Sequence, residues 1–139
     1  MNAENMKDLA AVRYEKAKEI LKDAEKLLAG ESFSSANNRA FYAAEKAIKA
    51  VLASVGKDAG SHNGIVRIFN HEFIYKSGDF FTHEDLQKLQ SMERIRNASD
   101  YDDFYIASKE ECADQVKKAK EIVGKVQEYL YQYDILNDE

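Results

Sequence analysis

Proline and tryptophan are absent from the 139 residues, which contain only six glycines and one cysteine. Average composition would give roughly seven prolines in a chain of this length. Because proline costs about 3 kcal/mol inside a helix, its absence favours a fold that is mostly helix interior. The single cysteine, Cys112, excludes an internal disulfide framework and is typical of a reducing compartment.

An excess of positive charge is also missing, because 20 basic residues face 25 acidic ones and the net charge is −5. Non-specific nucleic-acid binding needs a basic face, so RNA is not an expected partner, although a small local basic site stays open. No apolar run approaches the roughly 20 residues of a membrane span. The first eight residues are polar and do not resemble a signal peptide. We therefore expect a cytoplasmic protein with no membrane contact.

Hydrophobic residues make up 45% of the chain and recur at helical spacing in five segments. Glycines close these segments and a serine or threonine opens the next, as at Gly30 and Ser32. The predicted helices span residues 5–29, 32–55, 62–76, 83–99 and 109–134. Residues 100–106 are poor in helix formers and are predicted to be an extended connection. The pattern predicts an all-α fold, an up-and-down antiparallel four-helix bundle with one extra short helix, as a single domain over residues 1–139.

Two apolar faces stand out within these helices. Helix 2 carries seven alanines, and helix 5 carries a heptad seam that ends near Leu130 and Tyr133. Either face can serve as the core of the bundle or as a surface for dimerisation. The sequence leaves these two alternatives open, because both faces are apolar in the same way.

Metal and cofactor chemistry finds little support. The candidate metal ligands are His62, His71, His83 and Cys112. None of them has the i, i+4 spacing of a zinc helix, and Tyr75 stands where a metalloprotease motif needs a second histidine. The glycines do not form a phosphate-cradling loop. We therefore predict no metal site and no cofactor, with the histidines as partly exposed polar residues.

The strongest polar constellation surrounds Arg96. Asn97 and Asp100 lie three residues apart and can share a helix face. An arginine beside a carboxylate and an amide suits the recognition of phosphate or carboxylate groups. The alternative is a structural Arg96–Asp100 ion pair at i, i+4 that ends the helix. A second polar set, Asn38 and Arg39 in helix 2, is either a solvated stripe or part of a polar site.

Three stretches together resemble the HEPN (higher eukaryotes and prokaryotes nucleotide-binding) domain family. They are the segment from Asn38 to Ala44, the tripeptide His62-Asn63-Gly64, and the segment from Arg96 to Asp103. The resemblance implies a helical bundle that dimerises through the helices carrying these motifs. It also implies one of two roles: a metal-independent endoribonuclease, or a binding partner of a minimal nucleotidyltransferase in a toxin–antitoxin-like pair.

Catalytic members of the family carry a histidine four to six residues after an arginine, and this sequence departs from that pattern. The window after Arg96 holds Tyr101, Asp102 and Asp103, and the window after Arg94 holds no histidine either. Without an imidazole the motif lacks a general acid or base that titrates near neutral pH. Glu45 and Lys46 are a second departure, because the family often has aromatic residues there.

The sequence therefore predicts a non-catalytic HEPN-like domain that acts by binding. The expected partners are a second copy of the chain and a nucleotidyltransferase protein, with a nucleotide or anion as a further candidate ligand. The predicted cleft consists of Arg96, Asn97, Asp100, Tyr101, Asn38 and Arg39, with Arg96 as the anion-binding group and no catalytic residue.

Three other interpretations remain. The chain is a metal-independent endoribonuclease that uses Arg96 with Tyr101 or Asp100, a regulatory nucleotide binder, or a purely structural dimerising bundle. The acidic and aromatic residues 101–106 either face a partner or cap the core of the bundle.

Overall fold

The computed structural model describes residues 2–136. In this range the chain forms α1 (Ala3–Ala29), α2 (Phe33–Ser54), α3 (His62–Phe69), a π-helical turn (Asn70–Tyr75), α4 (His83–Tyr101) and α5 (Lys109–Gln132). These residues contain no strand, so the predicted all-α fold is confirmed. None of the described helices is both long and apolar enough to cross a membrane.

Contacts between helix ends give the directions of the first three long helices. Arg13, near the start of α1, donates to the backbone carbonyl of Lys49 near the end of α2 at 3.1 Å. Asn37, near the start of α2, donates to the hydroxyl of Ser99 near the end of α4 at 3.0 Å. Both neighbouring pairs, α1 with α2 and α2 with α4, are therefore antiparallel.

Helices α2 and α5 run in the same direction. The Cys112 thiol at the start of α5 lies 3.5 Å from the carbonyl oxygen of Phe33 at the start of α2. Near the opposite ends, the hydroxyls of Tyr129 and Ser54 are 3.2 Å apart. The four long helices thus alternate in direction along the chain, and the opening end of α2 lies beside the closing end of α4.

The two apolar faces whose role the sequence left open both lie in the core of the chain itself. All seven alanines of α2 are buried: Ala36, Ala40, Ala43, Ala44, Ala47, Ala50 and Ala53. The α5 seam is buried from Val116 through Leu130, whereas Tyr133 at its end is exposed. Small side chains let neighbouring helices approach closely, and burial removes these faces from any contact with a second chain. A dimer of this fold has to use another surface.

The third predicted helix, residues 62–76, changes its hydrogen-bond pattern halfway. It is α-helical to Phe69 and continues as the π-helical turn, in which the Lys76 amide donates to the carbonyl of His71. Phe69 and Phe73 both stay on the inner side, where their ring centroids lie 5.2 and 6.0 Å from that of Phe81. The wider turn therefore brings both rings into the same aromatic cluster at this end of the bundle.

The prediction that Asp100 belongs to an extended connection was wrong. Asp100 and Tyr101 are the last residues of α4, and the connection to α5 begins at Asp102. Contacts made by this turn offset its low helix propensity: Asp100 accepts a hydrogen bond from Asn38 at 2.8 Å, and the Ser99 hydroxyl donates to a backbone carbonyl one turn earlier. The longer helix places Asp100 opposite the start of α2.

Candidate binding cleft and its polar network

The predicted site residues meet where the start of α2 faces the end of α4. Asn38 lies between two of them, because its amide nitrogen donates to Asp100 at 2.8 Å. Its amide oxygen accepts two hydrogen bonds from Arg39, from Nε at 3.0 Å and from Nη2 at 2.8 Å. The order Arg39–Asn38–Asp100 is therefore a continuous hydrogen-bonded chain between the two helices.

Arg96 lies among aromatic rings. Its Cζ is 5.2 Å from the ring centroid of Phe41, 5.3 Å from that of Tyr42 and 5.8 Å from that of Tyr101. A guanidinium over aromatic faces gains cation–π attraction of about 0.5–2 kcal/mol, depending on desolvation. Nη1 of Arg96 also lies 3.7 Å from Asp100, so the i, i+4 ion pair that the sequence left as an alternative is present.

Only the outer end of this guanidinium faces the surface. The Arg96 side chain is 14% exposed, and its Nε is buried without a hydrogen-bond partner among the described residues. The amide oxygen of Asn37, a fully buried residue on α2, also has no hydrogen-bond partner among residues 2–136. An incoming anion would therefore meet only the terminal nitrogens of Arg96.

Asn97 takes part in a different set of contacts. Its amide donates to Glu93 at 3.0 Å, one helical turn earlier on α4. The other carboxylate oxygen of Glu93 lies 2.8 Å from Nε2 of His62, at the start of α3. Nδ1 of the same ring makes a 2.9 Å hydrogen bond with Glu45 of α2. His62 thus joins α2, α3 and α4.

Both nitrogens of His62 face a carboxylate, which constrains its role. These two contacts occupy both ring nitrogens and fix the orientation of the ring between Glu45 and Glu93. The ring also packs edge-on against Phe41, with centroids 5.3 Å apart. Phe41 is fully buried and contacts both the His62 ring and the Arg96 guanidinium.

Sequence analysis missed this role of His62, which it treated as a partly exposed polar residue. Part of the signal was present, because Glu93 and Asn97 have i, i+4 spacing on α4. Asn38, Phe41 and Glu45 likewise recur at helical spacing on one face of α2. The contact of both faces with the start of α3 depends on tertiary packing.

A groove of about 600 Å³ opens beside this network. Three of the six predicted site residues, Asn38, Arg39 and Asp100, line it, whereas Arg96, Asn97 and Tyr101 do not. Its other lining residues are Leu27, Ser34, Ser35 and Ser99. Hydroxyl, amide, guanidinium and carboxylate groups therefore share one wall, so the groove can recognise a polar ligand or a polar protein surface.

The connection after α4 projects apolar side chains into solvent. Tyr101, Phe104 and Ile106 are 73%, 94% and 87% exposed, which excludes the alternative that they cap the core. Hydrogen bonds hold the loop in place: the Phe104 amide donates to the Asp102 side chain at 3.0 Å, and the Tyr105 hydroxyl donates to Glu111 on α5. The loop presents Phe104 and Ile106 in a fixed arrangement.

Nucleophilic and metal chemistry gain no support from the geometry. Cys112 is fully buried, and burial raises the pKa of its thiol, so the reactive thiolate form is disfavoured. Across residues 2–136, no cluster of three or more histidine, cysteine, aspartate or glutamate side chains is arranged to hold a metal ion.

Residues 10–129 match the HEPN domain family. The chain belongs to this family. It is 30% identical over 116 residues to a protein of Thermotoga maritima named "UPF0332 protein", an alignment that covers 83% of this chain and 86% of the relative. It is 28% identical over 125 residues to a protein of Methanocaldococcus jannaschii named "Putative toxin MJ0142", covering 90% and 84% of the two chains. The family expected from the three sequence motifs is confirmed.

The three stretches that carried the resemblance come together in this HEPN domain. The first supplies Asn38 and Phe41 on α2, and the third supplies Arg96 and Asp100 on α4. The second supplies His62, which packs on Phe41 and reaches both neighbouring helices. Stretches that are far apart in sequence therefore form one network at the junction of α2, α3 and α4.

Proposed function

We propose that this HEPN domain acts by binding, as a homodimer that pairs with a minimal nucleotidyltransferase in a toxin–antitoxin system. Family membership and the name of the Methanocaldococcus relative support a toxin-related role. The observation that carries the proposal is the surroundings of Arg96. This arginine of the family motif packs among three aromatic rings beside Asp100, and the motif window holds no histidine.

The surrounding groups favour binding over RNA cleavage. Cleavage beside a 2′-hydroxyl needs a general acid or base within reach of the reacting atoms. His62 is the histidine of this network, and both of its nitrogens already face carboxylates. Asp100, Asp102 and Asp103 follow Arg96 in sequence and would repel a phosphodiester approaching this end of α4.

The loop after α4 is the proposed surface for the nucleotidyltransferase partner. Phe104 and Ile106 are almost fully exposed, and Asp102 and Asp103 carry negative charge beside them. Such a surface fits a partner with an apolar pocket rimmed by lysine or arginine side chains. Because hydrogen bonds already hold the loop, less conformational entropy is lost when the partner binds.

The groove beside α2 is the proposed polar cleft of the dimer. Arg39 is the cation that lines the groove, Ser34 and Ser35 add hydroxyl donors, and Arg96 pairs with the lining residue Asp100. A nucleotide or another anion bound here would pair with these groups while Asn38 and Asp100 fix its orientation. Asp100 limits the net positive charge of the cleft.

Co-expression with a minimal nucleotidyltransferase, taken from a neighbouring gene where one is encoded, tests the proposal. We expect a complex that co-purifies and contains two HEPN chains. Replacing Phe104 and Ile106 by serine should weaken its affinity about 30-fold, the loss typical of interface hot spots. Tyr75→Ser is the matched control, because Tyr75 is 81% exposed outside this loop, and it should leave the affinity unchanged. A HEPN chain that stays monomeric and does not co-purify with the nucleotidyltransferase would contradict the proposal.

One observation favours a second candidate function, a metal-independent endoribonuclease. Nη1 of Arg96 lies 3.5 Å from the Tyr101 hydroxyl and 3.7 Å from Asp100, so a cation, a hydroxyl group and a carboxyl group share one site. In this mechanism Arg96 would stabilise the phosphorane-like transition state, with Tyr101 or Asp100 moving the proton. An assay for RNA cleavage in EDTA separates this function from the binding role.

A further inference from the structure

Cationic side chains line a second groove, which shares no lining residue with the groove beside α2. The groove has a volume of about 580 Å³ and is lined by Lys57, Arg67, Ile68, His71, Glu72 and Lys76. Two lysines and one arginine therefore face a single carboxylate in a chain whose net charge is −5. The sequence had left room for one small local basic site, and this groove has that character.

Pairing inside the groove leaves two of the cations available. Glu72 lies 3.1 Å from Nζ of Lys76 and 3.6 Å from Nε2 of His71, so its charge is already compensated. Lys57 and Arg67 make no ion pair and no side-chain hydrogen bond with any described residue. Both side chains belong to exposed residues at the rim and can turn toward a ligand.

The cations around Glu72 favour the ionised form of its carboxyl group. The hydrogen bond from Lys76 lowers the pKa of this carboxyl, and the charges of Lys57 and His71 lower it further.

The arrangement follows from the fold. Lys57 lies just after α2, Arg67 lies on α3, and Lys76 directly follows the π-helical turn. Ile68, partly buried against the core, gives the groove an apolar patch between these cations. Three consecutive elements thus place their cations around one opening.

The arginines of the cleft make more side-chain contacts than Lys57 and Arg67 do. Arg39 donates two hydrogen bonds to Asn38, and Arg96 packs on three rings beside Asp100. Lys57 and Arg67 have no such partners among residues 2–136. The second groove is therefore better suited than the cleft to a ligand with several negative charges.

We propose that this groove binds an oligophosphate chain, either as a free inorganic ion or as part of a nucleotide. Arg67 binds two phosphate oxygens through its planar fork and Lys57 pairs with the neighbouring phosphate, whereas Lys76 stays paired with Glu72 in the same groove. The site goes beyond the proposed function, because neither the partner loop nor the cleft contributes to it.

Isothermal titration at low salt tests the site with inorganic tripolyphosphate, ATP and AMP as probes. We expect tripolyphosphate and ATP to bind, and AMP to bind more weakly. The double variant Lys57→Gln/Arg67→Gln should lose at least about tenfold in affinity for both, because two charge-assisted contacts are removed. Equal affinities for tripolyphosphate and ATP would assign recognition to the phosphate chain alone, whereas tighter binding of ATP would assign the nucleotide as the ligand.

Two further variants separate this site from other sources of binding. Lys22→Gln/Lys117→Gln removes the same charge from exposed positions on α1 and α5 and should retain the affinity. An equal loss in this control, or no binding of either probe to the unmodified chain, would overturn the inference. Loss in Arg39→Gln without loss in the groove variant would also overturn it, while leaving the cleft of the proposed function intact.

Discussion

Replacing Phe41 by alanine should lower the free energy of unfolding by about 3–5 kcal/mol, the usual cost of removing a buried aromatic ring. Phe41 is fully buried, and its ring contacts Tyr42 and His62 edge-on at centroid distances of 5.3 Å. The ring also lies under the Arg96 guanidinium, so its removal deletes one of the three aromatic contacts of that cation. Urea unfolding followed by circular dichroism measures the loss, and Tm should fall by about 10 °C.

Phe104→Ala provides the matched control for this prediction. Phe104 is 94% exposed, so the same truncation removes almost no buried surface and should change the stability by less than about 0.5 kcal/mol. Similar losses in the two variants would contradict the assignment of Phe41 to the core and of Phe104 to a solvent-facing loop.

Replacing His62 by alanine should cost about 1–3 kcal/mol of stability. The substitution removes the group that lies between Glu45 and Glu93 and leaves two like charges facing each other. The His62, Glu45 and Glu93 side chains are 14%, 15% and 24% exposed, so solvent screens part of the effect and the cost stays below that of a fully buried pair.

A double-mutant cycle tests whether this loss comes from the carboxylates. Glu93→Gln should destabilise the native chain, because Glu93 contacts both His62 and Asn97, yet it should restore part of the stability of the His62→Ala variant. Glu128→Gln, an exposed position on α5, should have the same small effect in both backgrounds. Strict additivity of the His62 and Glu93 substitutions would show that the two side chains are not coupled.

The helices were predictable because their signals are local. Apolar periodicity and the glycine–serine breaks placed five helical segments, and Gly30 indeed follows the end of α1. The error at Asp100 has a non-local cause, since its carboxylate is held by Asn38, 62 positions earlier. Local propensity does not report a contact of that kind.

The same difference between local and non-local contacts decides which parts of the candidate site were predictable. The Arg96–Asp100 pair was open to prediction because i, i+4 neighbours meet on any helix. The contacts of His62 with Glu45 and Glu93 join three helices and became visible only in the folded chain. The second groove was not predictable for the same reason, because it brings together a loop, α3 and the residue after the π-helical turn.

The central claim is that this HEPN domain acts by binding a protein partner and that it does not cleave RNA. Incubating the purified chain with a mixed RNA pool in EDTA tests it most directly, with Arg96→Ala in parallel. The account predicts no cleavage above the buffer blank for either protein, because the Arg96 window offers no histidine and the His62 nitrogens are both engaged. Cleavage by the unmodified chain that disappears in Arg96→Ala would contradict the account and establish the endoribonuclease instead.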